Sequence, residues 1–252
     1  MAAAVRLNDA STTQLELRFF AAPFTIHQNP SSGDHGLCLW DASVCFLRYL
    51  EHNPKAAARL RGATVLELGA GTGLLGIVLA HCLQCRVATT DLPAVVPNLL
   101  ANVAANPLPR GARGSICALP YAWSGEADAA VLAASPTGAF DAIIGTDVAY
   151  SEALNDVLLR SAAAFARASA RRCAVFFCNE LRCAIAQAVF DARAPPLFRV
   201  KRVPTKKLHP EWREHNQLLL ELTLKSAAAT AGGGGEEEEE EAEAAEAEAG
   251  DG

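Results

Sequence analysis

The sequence predicts a doubly wound α/β fold, a mostly parallel seven-stranded sheet with helices on both faces. Three observations predict it. Short apolar runs alternate with longer segments of helical spacing over most of the chain. One run, Val65–Leu68, passes straight into a glycine hinge and an apolar helix. A length of 252 residues with 51% apolar content suits one substantial core.

The elements follow in order. Gln14–Phe20 alternates Leu15, Leu17 and Phe19 with polar residues, and Phe24–His27 can pair with it as a hairpin. This places a β-hairpin in an N-terminal extension, residues 1–35. Trp40–Glu51 has a helical apolar face and is closed by Asn53-Pro54. Thr64–Leu68 is the first core strand and Leu74–Leu83 its crossover helix. Arg86–Thr90 is the second strand, ending at Asp91, and Ala94–Ala105 is a helix stopped by Asn106-Pro107. Ser115–Leu119 is a weak strand, and the small residues of Ala127–Thr137 read as a loop.

Phe140–Thr146 is a buried strand ending at Asp147, followed by a helix at Glu152–Ala168. Ala174–Cys178 and Leu181–Asp191 repeat the strand–helix pattern. Phe198–Val203 and Gln217–Leu224 form a closing hairpin around the polar loop Thr205–Asn216. The count is seven core strands.

The formal charge of −6 is a property of one end. The last 17 residues hold nine Glu and one Asp with no basic residue, and setting them aside leaves +4. Residues 226–252 read as a disordered acidic Gly/Glu/Ala tail, since nothing in them can bury enough surface to offset ordering. The eight cysteines lie mostly in apolar stretches, and MAAAVRLNDA has no apolar core of a secretory leader. Both suit reduced thiols and a cytoplasmic or nuclear location. Cys82 and Cys85 form one C-x-x-C without a second pair or suitable histidines, so no metal site is expected. The glycine hinge and Glu67 break Val65–Leu83 as a membrane span.

Chemistry concentrates at strand ends, where ligands bind in open α/β sheets. Gly69, Gly71 and Gly73 let the backbone turn and approach a ligand closely. Gly71, Gly73 and Gly76 also fit G-x-G-x-x-G, the dinucleotide fingerprint. A carboxylate at Glu67 suits a cationic, nucleoside-like cofactor better than a pyrophosphate. The run E-x-G-x-G-x-G resembles that of S-adenosylmethionine-dependent methyltransferases. Asp91 can accept both ribose hydroxyls, or cap the helix before Pro93. Trp123 can cover an adenine face or serve the core. Trp40, at the start of the first helix, reads by itself as a core residue. Asp147 and Tyr150 form D-x-x-Y after the fourth core strand, where a carboxylate can orient an amine and a tyrosine can line its channel. The structural alternative is a helix cap with a tyrosine packed on it.

Taken together, HGLCLWDASVCFLRYLE, VLELGAGTGLLGIVLA, TTDLPAVVPNLLANVAAN, the Trp123 segment, DAIIGTDVAYSEALNDVLL and FFCNELR resemble the seven-strand protein-lysine methyltransferases. The likeness is to the methyltransferase-like 21 type, also called methyltransferase family 16. It implies a class I, Rossmann-like methyltransferase domain over residues 36–225. It implies S-adenosyl-L-methionine held by Trp40, Glu67, Gly69, Ala70, Gly71, Gly73, Asp91, Trp123 and Thr146, where relatives often carry Ala at the last position. It implies a target-lysine site at Asp147 and Tyr150, with Glu180 and Arg182 substrate-side or structural.

The expected partner is a lysine-containing protein such as a chaperone, an ATPase or a translation factor, met by a monomeric enzyme. No N/D-P-P-Y/F, SET-domain pattern or basic aromatic-interleaved stretch points to base methylation, another lysine methyltransferase class or RNA. A small-molecule or peptide N-methyltransferase and a cofactor-binding protein without turnover remain the alternatives.

Overall fold

The structure, a computed structural model, describes residues 11–169 and 173–226. The chain opens with the hairpin β1 (Gln14–Phe19) and β2 (Ala22–His27), then α1 (Asp41–His52) and α2 (Pro54–Leu60). The alternating part runs β3 (Thr64–Leu68), α3 (Leu74–Cys82), β4 (Arg86–Asp91), α4 (Val96–Ala105), β5 (Ser115–Pro120), α5 (Ala129–Ala133), β6 (Ala142–Thr146), α6 (Glu152–Ala168), β7 (Ala174–Glu180) and α7 (Ala184–Arg193). The strands β8 (Phe198–Arg202) and β9 (Gln217–Leu224) finish the sheet.

Seven strands pair in the order β5-β4-β3-β6-β7-β9-β8. The first five run parallel, and β9 lies antiparallel to both β7 and β8. Strand order reverses beside β3, so the cleft between β4 and β6 opens above its carboxyl end. Alternation along β6 divides the core: Ala142 and Ile144 pack on the face that carries α1 and α3, and Ile143 on the face that carries α6. Phe46, Leu47 and Val78 fill the first layer, while Leu158, Phe165, Phe177 and Phe190 fill the second.

Two asparagines of α4 and its carboxyl end tie the hairpin to that helix. The Asn102 side chain accepts from the His27 amide at 2.8 Å and donates to the carbonyls of His27 and Thr72. Asn106 bonds the Thr25 amide and carbonyl in the same way. The segment after β2 is thereby carried across the carboxyl end of the sheet.

The sequence expectations differ from the structure at a few boundaries. The first helix does close at Asn53-Pro54, but Pro54 also starts α2, because a proline at the first helical position gives up only an amide that would be unpaired anyway. Ala127–Thr137 contains α5, whose first turn is capped by the Asp128 carboxylate accepting from Ala130 and Val131. The helix after β7 starts at Ala184, and β7 itself continues to Glu180 through its pairing with Gln217. The expected 226–252 tail lies, apart from Ser226, outside the described residues.

Candidate active site

The turn from β3 into α3 is built around left-handed glycines, with φ of 67° at Gly69, 57° at Gly71 and 81° at Gly73. At Gly69 a Cβ would stand 2.6 Å from Val148 Cγ1 and 3.1 Å from the Trp123 ring. At Gly73 it would overlap Leu99 Cδ1. The Gly71 amide donates to Asp91 Oδ2 at 2.7 Å, and the Ala70 amide to the Thr90 carbonyl at 3.0 Å.

Glu67 does not reach the cleft. Its side chain is 1% exposed and turned under the loop, where Oε2 accepts the Thr89 hydroxyl at 2.6 Å. A Cβ at Gly76 would fall 2.6 Å from the same oxygen, so the helix glycine makes room for the carboxylate. Burial pushes the Glu67 carboxyl up to about 7, against hydrogen bonds from Thr89 and the Gly76 amide. Ala70 and Gly73 likewise shape the loop from outside the cleft lining.

A cleft of about 660 Å³ opens above these elements. Trp40, Gly69, Gly71, Asp91, Trp123 and Thr146 all line it, as do Asp147 and Tyr150. Asp91 holds two backbone amides, those of Gly71 and Leu92, and each oxygen keeps a lone-pair direction to spare. Burial pushes the Asp91 carboxyl above its usual range, and those two bonds oppose the rise.

The wall contributed by the segment after β2 was not visible in the sequence. Asp34, His35 and Gly36 come from it, with His35 5.8 Å from the Trp40 ring and 6.4 Å from Tyr150. The His35 carbonyl accepts the Trp40 indole N–H at 2.8 Å.

At the other end of the cleft, Asp147 has φ of 55°, a left-handed conformation that aspartate tolerates better than most residues. Its Oδ1 accepts the Glu180 amide at 2.8 Å, and its Oδ2 accepts Arg182 Nη2 at 3.0 Å. Arg182 also bonds Glu180 at 2.6 Å and lies 4.4 Å over the Trp40 ring. Asn179 fixes the turn beside it, accepting the amides of Val148 and Ala149. Burial raises the Asp147 carboxyl above its usual range, opposed by the Glu180 amide and Arg182. Asp41 is raised by burial and then by Glu180 and Asp147. The phenol of Tyr150, half-exposed, is raised by burial and by Asp91 and Asp34, and stays neutral.

The C-x-x-C does not converge. The Cys82 thiol donates to the Phe19 carbonyl, and the Cys85 thiol to that of Leu60. Burial raises them to about 11 and about 12, so both stay protonated.

A family model described as lysine methyltransferase matches residues 21–191. The chain is 36% identical over 123 residues to protein N-lysine methyltransferase METTL21A of Danio rerio, covering 49% of this chain and 52% of the relative. It is 40% identical over 114 residues to METTL21A of Mus musculus, covering 45% and 48%. EEF1A lysine methyltransferase 3 of Mus musculus is 37% identical over 121 residues, covering 48% and 47%. The chain spans about half the length of these curated relatives. Among solved structures, a T. thermophilus 16S rRNA methyltransferase superposes with a TM-score of 0.53 at 20% identity, over 84% of this chain and 50% of the other. A putative methyltransferase from Streptococcus mutans gives 0.51 at 11% identity, over 86% and 57%. These two likenesses establish the fold.

Proposed function

Because the chain belongs to the lysine methyltransferase family, we propose that it moves a methyl group from S-adenosyl-L-methionine to a lysine ε-amine of a protein. One observation carries this reading. A single cleft joins Asp91 and the glycine turn to Asp147 and Tyr150.

The residues present fit the cofactor. Gly69 and Gly71 leave backbone where side chains would fill the cleft, and Asp91 offers acceptors to a pair of ribose hydroxyls. Trp123 supplies an apolar face for a base, and Trp40 and Thr146 wall the remaining space. Glu67, Ala70 and Gly73 support this set from below or behind. The cofactor, when bound, supplies an electrophilic methyl on a sulfonium.

The chain contributes alignment and exclusion of water. A lysine must attack as the neutral amine, although its ordinary pKa is about 10.4. Asp147 accepts a hydrogen bond from the incoming nitrogen and orients its lone pair. Tyr150, 51% exposed at the cleft mouth, flanks the aliphatic stem. The cofactor would supply the methyl and keep its sulfur as the leaving group, and the open end of the cleft would let the amine's surplus proton pass to solvent.

The partner in this reading is a folded protein such as a chaperone, an ATPase or a translation factor, met by a monomer in the cytoplasm or nucleus. Residues 36–225 act as the methyltransferase domain. Transfer of isotopic methyl into a host-cell extract, with Asp147→Ala alongside, tests the activity. Label mapped to lysine in a few proteins and lost in the variant supports it. Label confined to small molecules favours a small-molecule methyltransferase, and cofactor binding without any label favours a protein without turnover.

A further inference from the structure

Seven large apolar side chains are exposed among the described residues, and five of them follow the carboxyl ends of three strands of the sheet. Leu92 follows β4, Tyr150 and Leu154 follow β6, and Leu181 and Ile185 follow β7. Leu100 and Val200 are the two elsewhere, on α4 and β8. Scattered single apolar residues are ordinary on a protein surface, whereas an apolar rim at the mouth of a cleft marks an interaction site.

Two hydrogen bonds join the segments that bear these residues. The Asn155 side chain donates to the Ala186 carbonyl at 2.8 Å, joining the first turn of α6, which bears Leu154, to the first turn of α7, which bears Ile185. Arg182 joins Asp147, tying the turn that bears Leu181 to the turn that bears Tyr150. Leu92, Tyr150 and Leu154 reach inward and line the cleft as well.

The charge inside has one sign. Asp34, Asp91 and Asp147 line the cleft, with Asp41 and Glu180 close behind Asp147, and Arg182 is the cation paired with two of these five. Such a site favours a single inserted cation, and the rim around it favours apolar neighbours over further charge. The chain's own Glu-rich stretch, residues 236–252, has the wrong sign to occupy it.

Resting on the lysine-methyltransferase reading, we infer that the substrate presents its target lysine within an apolar surface patch, and that Leu181 and Ile185 dock that patch. Neither residue lines the cofactor-sized cleft, so their role separates from cofactor binding.

The test uses the full chain, isotopic S-adenosylmethionine and extract proteins as acceptors. Leu181→Ser with Ile185→Ser is compared with the off-rim pair Leu100→Ser with Val200→Ser. The rim pair lowers the initial rate of lysine labelling about tenfold or more, with cofactor affinity by calorimetry kept within about twofold. The off-rim pair labels at the wild-type rate, and the methylated lysines map to surface positions beside Leu, Ile, Val, Met or Phe. Wild-type labelling by the rim pair overturns the inference and leaves the methyltransferase reading standing. Absence of label with the wild-type chain overturns both. A dimer that the rim pair dissolves, with labelling unchanged, assigns the rim to a second copy and overturns the inference.

Discussion

Glu67→Gln separates the two roles that a carboxylate before a glycine turn can have. The side chain is enclosed beneath the loop and held by Thr89, and its carboxyl stands at about 7 against an ordinary 4.5. Below about pH 4.5 both folded and unfolded chains hold the Glu67 proton. As pH rises, the unfolded chain releases it first, so the folded state binds more protons and loses stability until about pH 7. At about 1.4 kcal/mol for each tenfold change in proton affinity, that loss is on the order of 3 kcal/mol. It is a large part of the roughly 5–15 kcal/mol that holds a domain together.

Glutamine keeps the shape and the acceptor oxygen but cannot ionise. The difference in unfolding free energy, wild type minus Glu67→Gln, therefore falls by up to about 3 kcal/mol between pH 4.5 and pH 7. Any fixed cost of the amide shifts the whole difference without changing its slope. Urea titrations followed by tryptophan fluorescence at half-unit pH steps supply the curve, and calorimetry at pH 7.5 supplies the cofactor affinity. A flat difference refutes the burial argument. A loss of affinity beyond about tenfold in a variant that folds as stably as wild type refutes the placement of Glu67 beneath the site.

Asp91→Ala removes the ribose acceptor and the partner of the Gly71 amide, and weakens cofactor binding at least tenfold by calorimetry; unchanged affinity removes the assignment. Gly73→Ala forces a left-handed alanine against Leu99 and costs roughly 2–4 kcal/mol in chemical denaturation, and a cost below about 1 kcal/mol means the loop relaxes freely. Asp147→Ala cuts methyl transfer at least a hundredfold while cofactor affinity stays within a few fold, and retained transfer ends its proposed role. Arg182→Ala strips the cation that holds the Asp147 carboxyl down, so the acid limb of the pH–rate profile moves to higher pH; a profile that stays in place or moves lower contradicts the pairing.

The strand ends were legible because each carries local chemistry. Glycines at Gly69, Gly71 and Gly73 announce a turn that other residues would strain, and the acids at Asp91 and Asp147 each follow an apolar run that reads as a buried strand. Side-chain direction was not legible in the same way. Glu67 lies on β3 two residues before Gly69, and a strand sends alternate residues to opposite faces. Whether its face meets ligand or helix depends on Gly76, nine residues later, leaving space beneath the loop. His35 and Asp34 were hidden for another reason, since their approach depends on Asn102 and Asn106 gripping a hairpin more than 70 residues earlier in the chain.

Arg182 shows what that missing information does to the chemistry. D-x-x-Y alone suggests a free carboxylate waiting for a lysine, yet an unpaired buried acid would hold the lysine as ammonium, the form that cannot attack. In the structure one Asp147 oxygen is held by a backbone amide and the other by Arg182, which also rests on Trp40. A carboxylate already facing a cation attracts a second one less strongly, while its remaining lone pairs can still orient an amine. The pair thus weakens ground-state binding of the protonated side chain and keeps the geometry needed for transfer. Loss of Arg182 should accordingly lower KM along with kcat, because a tighter but unproductive ammonium complex replaces part of the productive one.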